Sequence, residues 1–491
     1  AVLGWAVARE SQNRTTVLPI VFGFAAAAAF GISLYLAWSN RELHLSTCAS
    51  FLHSFRALDV RLVLLVTGIV AILVYAMPGT FPTLIALGLL ALLLLLRPEV
   101  GLPLIAVCLP FYQPGRPLLG KVFSMVEILV LLTAVGWVLG WLARLVARLR
   151  SDEQQGLPEA GARWQLSALD WGVLALFVLG MISILWAEHR RLAIREYRTV
   201  VLEAVIFYAL LRAMLQKDRE TWLLADAWVL GGALIALIGI AQWVIGQNLI
   251  TADGVWRVRG FYGSPNNLAL YLGRVFPLTV AVAAFSAPKA GASTARWWYS
   301  RRSGYALAAL VMAAALLLTY SRGAWLVGVP ASLLFLAAMR GRRAFAVAVG
   351  LLAVAAVAVL LVAGGGRLAS LLDASTGTTF FRVQLWQSSV AMVQDHPLLG
   401  VGLDNFLYHY RSHYVLPTAW EEFNLSHPHN LVLDFWLRLG LLGVGLLVWL
   451  LVAFFRCGWR AYRRLPEGWN RLLVLGLLAG MVNFVAHGLV D

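Results

Sequence analysis

The sequence predicts an all-α polytopic membrane protein, and three observations carry that reading. Hydrophobic residues make up 61% of the 491-residue chain and charged residues only 13%, against roughly 25% charged in soluble domains. Apolar runs of about twenty residues, long enough to cross a hydrocarbon core of roughly 30 Å, recur along the length. The basic residues fall mostly between those runs, as they do in cytoplasmic loops.

The formal charge of +15 is almost entirely arginine. In a membrane chain this reflects loop placement, so the sequence points away from nucleic acid as a partner. Cys48, Cys108 and Cys457 are too far apart for a disulfide framework or a metal motif. No cleavable signal pattern is evident.

Taken in order, the candidate spans are Val17–Trp38, Leu62–Met77, Phe81–Leu96, Val100–Tyr112, Val122–Val146, Leu169–Ala187, Val200–Met214, Leu223–Ile245, Leu268–Phe285, Gly304–Thr319, Gly323–Met339, Phe345–Val362, Leu431–Phe455 and Leu472–Val490. These amount to about 12–14 transmembrane helices, because Val100–Tyr112 is short enough to be re-entrant or merely buried. Four parts follow: N-terminal transmembrane helices over 1–245, helices with short outer motif loops over 246–363, a large helical outer-face loop over 364–430, and C-terminal helices over 431–491.

Orientation comes from arginine. Lys289, Arg296, Arg301 and Arg302 mark one loop as cytoplasmic, Arg340, Arg342 and Arg343 a second, and Arg456, Arg460, Arg463, Arg464 and Arg471 a third. The 246–262 loop, the turn at Ser321-Arg322-Gly323 and the 364–430 loop then lie outside, and with them Glu188–Arg198. That side should be poor in arginine, yet it holds Arg190, Arg191, Arg195, Arg198, Arg257, Arg259, Arg322, Arg367, Arg382 and Arg411. Arg274 lies about two turns inside the span that follows Asn267. An ionised side chain at such depth costs roughly 2.5–3.5 kcal/mol on insertion scales and normally faces a cavity or a partner. Two readings stand side by side: short loops that tolerate arginine, or an outward cavity lined by guanidinium groups for a strongly anionic ligand. The planar fork of arginine suits phosphate.

The polar stretch Gly364–Gly440 is the longest interruption of the apolar pattern and carries five of the nine histidines: His396, His409, His413, His427 and His429. His409 and His413 have the spacing of helical metal ligands, with His427 and His429 as further candidates. Phe381, Leu385, Ser389 and Met392 repeat with helical period. His429 is placed in the first turn of the span at Leu431, with Ser426 as its cap.

Four stretches occur in order on the predicted outer side: Arg259-Gly260 through Asn266-Asn267; Thr319-Tyr320-Ser321-Arg322-Gly323; Phe381-Arg382-Val383-Gln384-Leu385-Trp386 leading to His396-Pro397-Leu398-Leu399-Gly400-Val401-Gly402; and His427-Pro428-His429-Asn430 with Leu439-Gly440-Leu441-Leu442-Gly443 beyond it. Together they resemble the bacterial O-antigen ligase and polymerase superfamily, over roughly Arg259 to Gly443. Its members usually continue past a stretch such as His487-Gly488-Leu489-Val490-Asp491, so further residues are expected beyond Asp491.

The resemblance implies an inverting, metal-independent glycosyltransferase of the GT-C type, with no cofactor, in the bacterial inner membrane and with its active site facing the periplasm. The donor would be an undecaprenyl-diphosphate-linked glycan and the acceptor a lipid or glycan hydroxyl, among membrane lipid. It implies His429 as catalytic base, with His427 second, and Arg322, Arg382 and Arg259 on the donor diphosphate. Arg190, Arg191, Arg195, Arg274 and Asn430 are candidate cavity-lining residues. A histidine poised near neutral pH and preorganised arginines meet the demands of such a transfer without a metal. The expected activity is of ligase type. A polymerase of the same superfamily shares every motif, and a flippase for polyprenyl-linked glycans is the alternative from another class. A flippase predicts a midplane site and internal repeats, whereas the polar residues here collect toward one face and no repeat is found.

Overall fold

The computed structural model describes residues 54–55, 57–113, 115–118, 121–152, 166–252, 255–285, 292–354, 357 and 377–491. It forms two compact units: Ala1–Ile105 with Gly115–Leu157, and Ala106–Pro114 with Pro158–Asp491.

The first unit contains α1 (Val60–Ala76) and α2 (Thr80–Leu96), the start of α3 (Gly101–Cys108), the hairpin of β1 (Arg116–Leu118) and β2 (Lys121–Phe123), and α4 (Met125–Asp152). The Asp59 side chain caps α1 by accepting from the Arg61 amide at 2.7 Å. Gly136 brings α4 against α2, since a Cβ there would lie 2.5 Å from the Leu94 carbonyl. Pro98 holds Arg97 out of the helical region, and the chain bends by 107° between Thr80–Leu96 and Pro98–Phe111. The segment expected at Val100–Tyr112 is therefore one arm of a bent pair.

The second unit begins with α5 (Ala168–Ser183), started by a Ser167–Asp170 capping box. Then come α6 (Arg190–Glu196), a π turn at Tyr197–Leu202, α7 (Glu203–Met214) and α8 (Asp218–Ile245). The hairpin of β3 (Ile250–Ala252) and β4 (Val255–Arg257) leads to α9 (Pro265–Ala284) and α10 (Ala292–Leu318). A second π turn, Ala324–Gly328, opens α11 (Val329–Arg340), and a further helix covers 342–354. The last elements are α12 (Gly377–Asp395), α13 (Phe406–His409), α14 (Leu431–Arg464) and α15 (Trp469–Gly488).

Among the described residues six helices are long and apolar enough to cross a membrane: Met125–Val146, Asp218–Ile245, Pro265–Ala284, Arg301–Leu318, Leu431–Arg464 and Trp469–Gly488. The all-α polytopic membrane class follows from them. Val60–Ala76, Ala168–Ser183 and Ala324–Arg340 are shorter apolar helices, and the sequence count of about 12–14 includes such pieces as spans. The candidate span Val17–Trp38, the end of Phe345–Val362 and the first part of the 364–430 loop lie outside the described residues.

Helices α9 and α15 pack antiparallel through small residues. A Cβ on Gly273 would meet Asn483, one on Gly480 the Arg274 carbonyl, and one on Gly476 Leu278. Small residues let backbones approach where lipid removes the hydrophobic drive between helices. Leu268, Leu272, Leu278 and Met312 are fully buried around this contact.

A break in α14 anchors the outer loop. Gly440 has φ 69° and ψ −163° inside the helix, so the regular bond between Leu441 N–H and Leu437 C=O is opened. Both groups bond to the His396–Gly402 segment instead. The Leu441 amide donates to the Pro397 and Leu398 carbonyls at 3.2 Å, and the Leu437 carbonyl accepts from the Val401 amide at 2.6 Å. The Trp436 indole adds a bond to the Pro397 carbonyl at 2.8 Å. A Cβ on Gly440 would stand 1.9 Å from the Leu398 carbonyl, and one on Gly400, itself at φ 67°, 2.4 Å from that of Leu437. Neither position admits a side chain. Gly440→Ala combines this overlap with a left-handed backbone whose strain alone is about 1–3 kcal/mol. It is expected to lower the thermal unfolding midpoint of the detergent-purified protein by several degrees, as read by scanning fluorimetry.

Candidate active site

One end of the second unit gathers the start of α9, the turn after α10, the start of α12, the loop before α14 and the end of α15. Asp491 ties them together. Its side chain is only 1% exposed. Oδ1 accepts from Arg382 Nη2 at 2.5 Å, faces His429 Nδ1 at 3.1 Å, and accepts from Asn266 Nδ2 at 3.3 Å. Oδ2 lies 3.4 Å from His487 Nε2. Burial raises the Asp491 carboxyl pKa, but the His429 contact, the nearby His487 ring and the Arg382 charge outweigh this and hold it well below the usual carboxylate range.

Each partner is aimed by its own local structure. Ser264 caps α9 and Pro265 fills its first position, leaving Asn266 to face both Asp491 and Arg257, whose Nη2 donates to Asn266 Oδ1 at 2.9 Å. Arg257 Nε also bonds the Thr319 carbonyl at 2.7 Å, fixing the β4 hairpin to the end of α10. In α12 the apolar period holds, with Leu385, Ser389 and Met392 fully buried. Arg382 and Trp386, one turn apart on that helix, reach Asp491 and the Pro428 carbonyl respectively, the latter at 3.0 Å.

The cap expected at Ser426 is instead Asn430, whose Oδ1 accepts from the Val432 and Leu433 amides at 3.0 and 3.1 Å. Ser426 Oγ is taken by His427 Nδ1 at 3.1 Å. Asn430 Nδ2 also donates to the Leu489 carbonyl at 2.9 Å, tying the start of α14 to the end of α15. His429 therefore precedes the helix rather than lying in its first turn, at φ 50°. A non-glycine residue in the left-handed region stores strain that its surroundings must hold, and the bonds at Pro428 and Asn430 flank it on both sides. An ionised Asp491 can only accept, so the proton in this contact sits on His429 Nδ1 and Nε2 is turned away from the carboxylate.

The rings of His427 and His429 are 4.2 Å apart. Burial first, and the neighbouring His429 second, push His427 down to about 4.

Of the other sequence candidates, Arg322 Nη1 donates to Thr379 Oγ1 at 3.4 Å, one turn ahead of Arg382 on α12. Arg259 sits in the turn between β4 and α9, where its carbonyl accepts from the Tyr262 amide at 3.0 Å; its guanidinium bonds no described residue. Arg274 is exposed on α9, 4.8 Å over the Phe484 ring. Arg190, Arg191 and Arg195 are exposed on α6. Arg190 bonds the Leu185 carbonyl and Arg195 pairs with Asp404 at 2.8 Å, so neither bonds the Asp491 cluster. His409 faces Glu188 at 3.4 Å and His413 bonds Ser412. Among the described residues no group of three or more His, Cys, Asp or Glu is placed to hold a metal ion.

Asp491, Asn266 and His487 were assigned no role from sequence, and Arg257 only a place among the outer-side arginines. The available signal was ionisable residues at the ends of apolar helices, above all a carboxylate four residues beyond a histidine.

These features define a polytopic membrane protein with a half-buried histidine, a buried carboxylate and arginines gathered at one end of its helices. Residues 307–448 match the family model described as O-Antigen ligase, which supports membership of the O-antigen ligase and polymerase superfamily. Comparison with curated proteins returned no match. The family is one of membrane transferases that act on lipid-linked glycans and acceptors.

The low pKa of His427 carries a stability consequence. In the fold it stays neutral down to about 4, whereas the unfolded chain takes up a proton near 6.5. Its contribution is intact above pH 6.5 and is lost as the pH falls toward 4. The unfolding midpoint is expected to drop between pH 7 and pH 5, and His427→Asn should flatten that dependence in the same fluorimetric titration.

Proposed function

We propose that the Asp491-centred cluster transfers a glycan from undecaprenyl-diphosphate to an acceptor hydroxyl on the outer face of the inner membrane, with an activity of ligase type. The observation that carries this reading is the contact between His429 Nδ1 and Asp491 Oδ1, made on the same oxygen that pairs with Arg382. A histidine held by a carboxylate through one nitrogen is a base at the other.

In the reaction the acceptor hydroxyl gives its proton to His429 Nε2 while its oxygen attacks the anomeric carbon of the donor sugar. The bond from that carbon to the diphosphate oxygen breaks, and its electron pair leaves on the diphosphate, so the anomeric configuration inverts. The proton then passes from His429 to solvent. Charge builds on the leaving group, where preorganised guanidinium groups stabilise it without reorganising. We assign Arg322 and Arg382 to this role, together with Arg259; Arg322 bonds Thr379, one turn ahead of Arg382 on α12. One carboxylate against Arg257, Arg322 and Arg382 leaves the cluster cationic, in keeping with an anionic donor. Arginine-rich loops at 340–343 and 456–471 supply the cytoplasmic side by the positive-inside rule and favour the outer face for the cluster.

His429→Ala is expected to abolish transfer while leaving binding of the lipid diphosphate within about threefold of wild type; turnover close to wild type would remove His429 as base. Arg322→Ala, which does not touch Asp491, should weaken donor binding by about ten- to a hundredfold, the worth of a charge-assisted hydrogen bond. In a second assay, chelation with EDTA is expected to leave turnover unchanged. Supplying lipid A–core, an elongating glycan or a protein acceptor in parallel, and reading which is extended, separates ligase from polymerase.

A further inference from the structure

Beneath the base and its carboxylate lies a line of polar residues that the proposed reaction leaves unused. Asn483 and His487 stand four residues apart on one face of α15, and Asp491 follows four residues further on, beyond the helix end at Gly488. All three are buried, His487 completely. Three glycines make room for them. A Cβ on Gly323 would stand 2.8 Å from His487 Nε2, one on Gly328 2.9 Å from His487 Cβ, and one on Gly273 2.5 Å from Asn483 Oδ1. Gly323 belongs to the Ser321-Arg322-Gly323 turn, and Gly328 closes the π turn that follows it, a local irregularity that often marks functional positions. Neither ring nitrogen of His487 has a hydrogen-bond partner among the described residues, and neither has Asp491 Oδ2. The nearest approach between them is the 3.4 Å from His487 Nε2 to that oxygen.

A histidine kept only to fill space would be replaceable by an apolar side chain of similar size, and leaving its polar atoms buried costs about 1–3 kcal/mol. Its position against the second oxygen of a carboxylate whose first oxygen holds His429 and Arg382 suggests a different use. We infer that His487 is a positioning residue: its Nε2–H restrains Asp491 Oδ2, so the carboxylate cannot rotate and Oδ1 stays turned to His429. This rests on the reading of His429 as base. Around Asp491 the charged and titratable groups are Arg382 from α12, His429 with His427 behind it from the loop before α14, Arg257 acting through Asn266 at the start of α9, and His487 on α15 itself.

The test compares wild type, His487→Leu, His487→Gln and His429→Ala as full chains in detergent, using lipid-linked glycan donor and acceptor. Glutamine can place an amide N–H where Nε2–H stands; leucine cannot. His487→Leu is expected to lose about tenfold or more in kcat, as orienting partners commonly do, with donor KM within about twofold of wild type. His487→Gln should restore kcat. An unchanged kcat in the leucine variant overturns the inference, provided His429→Ala is inactive. Activity in His429→Ala overturns instead the reading beneath it. Where the leucine variant does not fold, the glutamine variant decides alone: near-wild-type kcat supports the restraint, and a tenfold loss at an unchanged unfolding midpoint overturns it.

Discussion

A single buried carboxylate is what allows the site to exist. Arg382 and His429 come from different elements and would repel whenever the imidazole carries a proton. Two like charges at about 4 Å cost roughly 4 kcal/mol at an effective dielectric constant near 20. Asp491 converts that repulsion into attraction and gives both groups one oxygen to face. It also sets the histidine tautomer, because an ionised carboxylate can only accept. The asparagine and second histidine around it extend the same network to α9 and α15, so the charge is held from several sides and not by arginine alone.

Some of the motif residues shape the backbone around the site. The His396–Gly402 segment completes the backbone hydrogen bonding of α14 at its break, and Gly400 and Gly440 are small because each faces a carbonyl of the other strand of chain. Gly323, between an arginine and a π turn, is small for a related reason: His487 occupies the space its side chain would need. Glycines that read as turn formers are here clearance for neighbours, and they fix where the catalytic candidates stand.

The helices were legible in the sequence because a hydrocarbon environment demands long apolar runs, and the described parts of the candidate spans fall on helices except at some ends, such as Val122 and Phe123 in β2. The period of Phe381, Leu385, Ser389 and Met392 likewise placed α12. Arg382, Arg322 and His429 were reached through motif resemblance, and the structure brings Arg382 and His429 onto one oxygen. Asp491 was passed over because its meaning lies in burial and in contacts with residues 62 to 225 positions away, which no local pattern encodes. The arginines of α6 were grouped with the others by their predicted side of the membrane, a one-dimensional criterion that says nothing of lateral distance. Ser426 and Asn430 are both good caps by propensity; only the backbone at His429 decides between them.

Chain order adds a temporal consequence to the network. Asn266, Arg382 and His429 all precede Asp491 in the chain, so the cluster cannot close until synthesis has passed residue 491 and α15 has entered the bundle. Until then the arginines and histidine lack their shared anion, and the imidazole lacks the partner that orients it. A chain released early, however well its other spans insert, would carry the motifs without the closed cluster. The antiparallel contact of α9 with α15 through Gly273, Gly476 and Gly480 thus brings together cluster residues as far apart in the chain as Asn266 and Asp491.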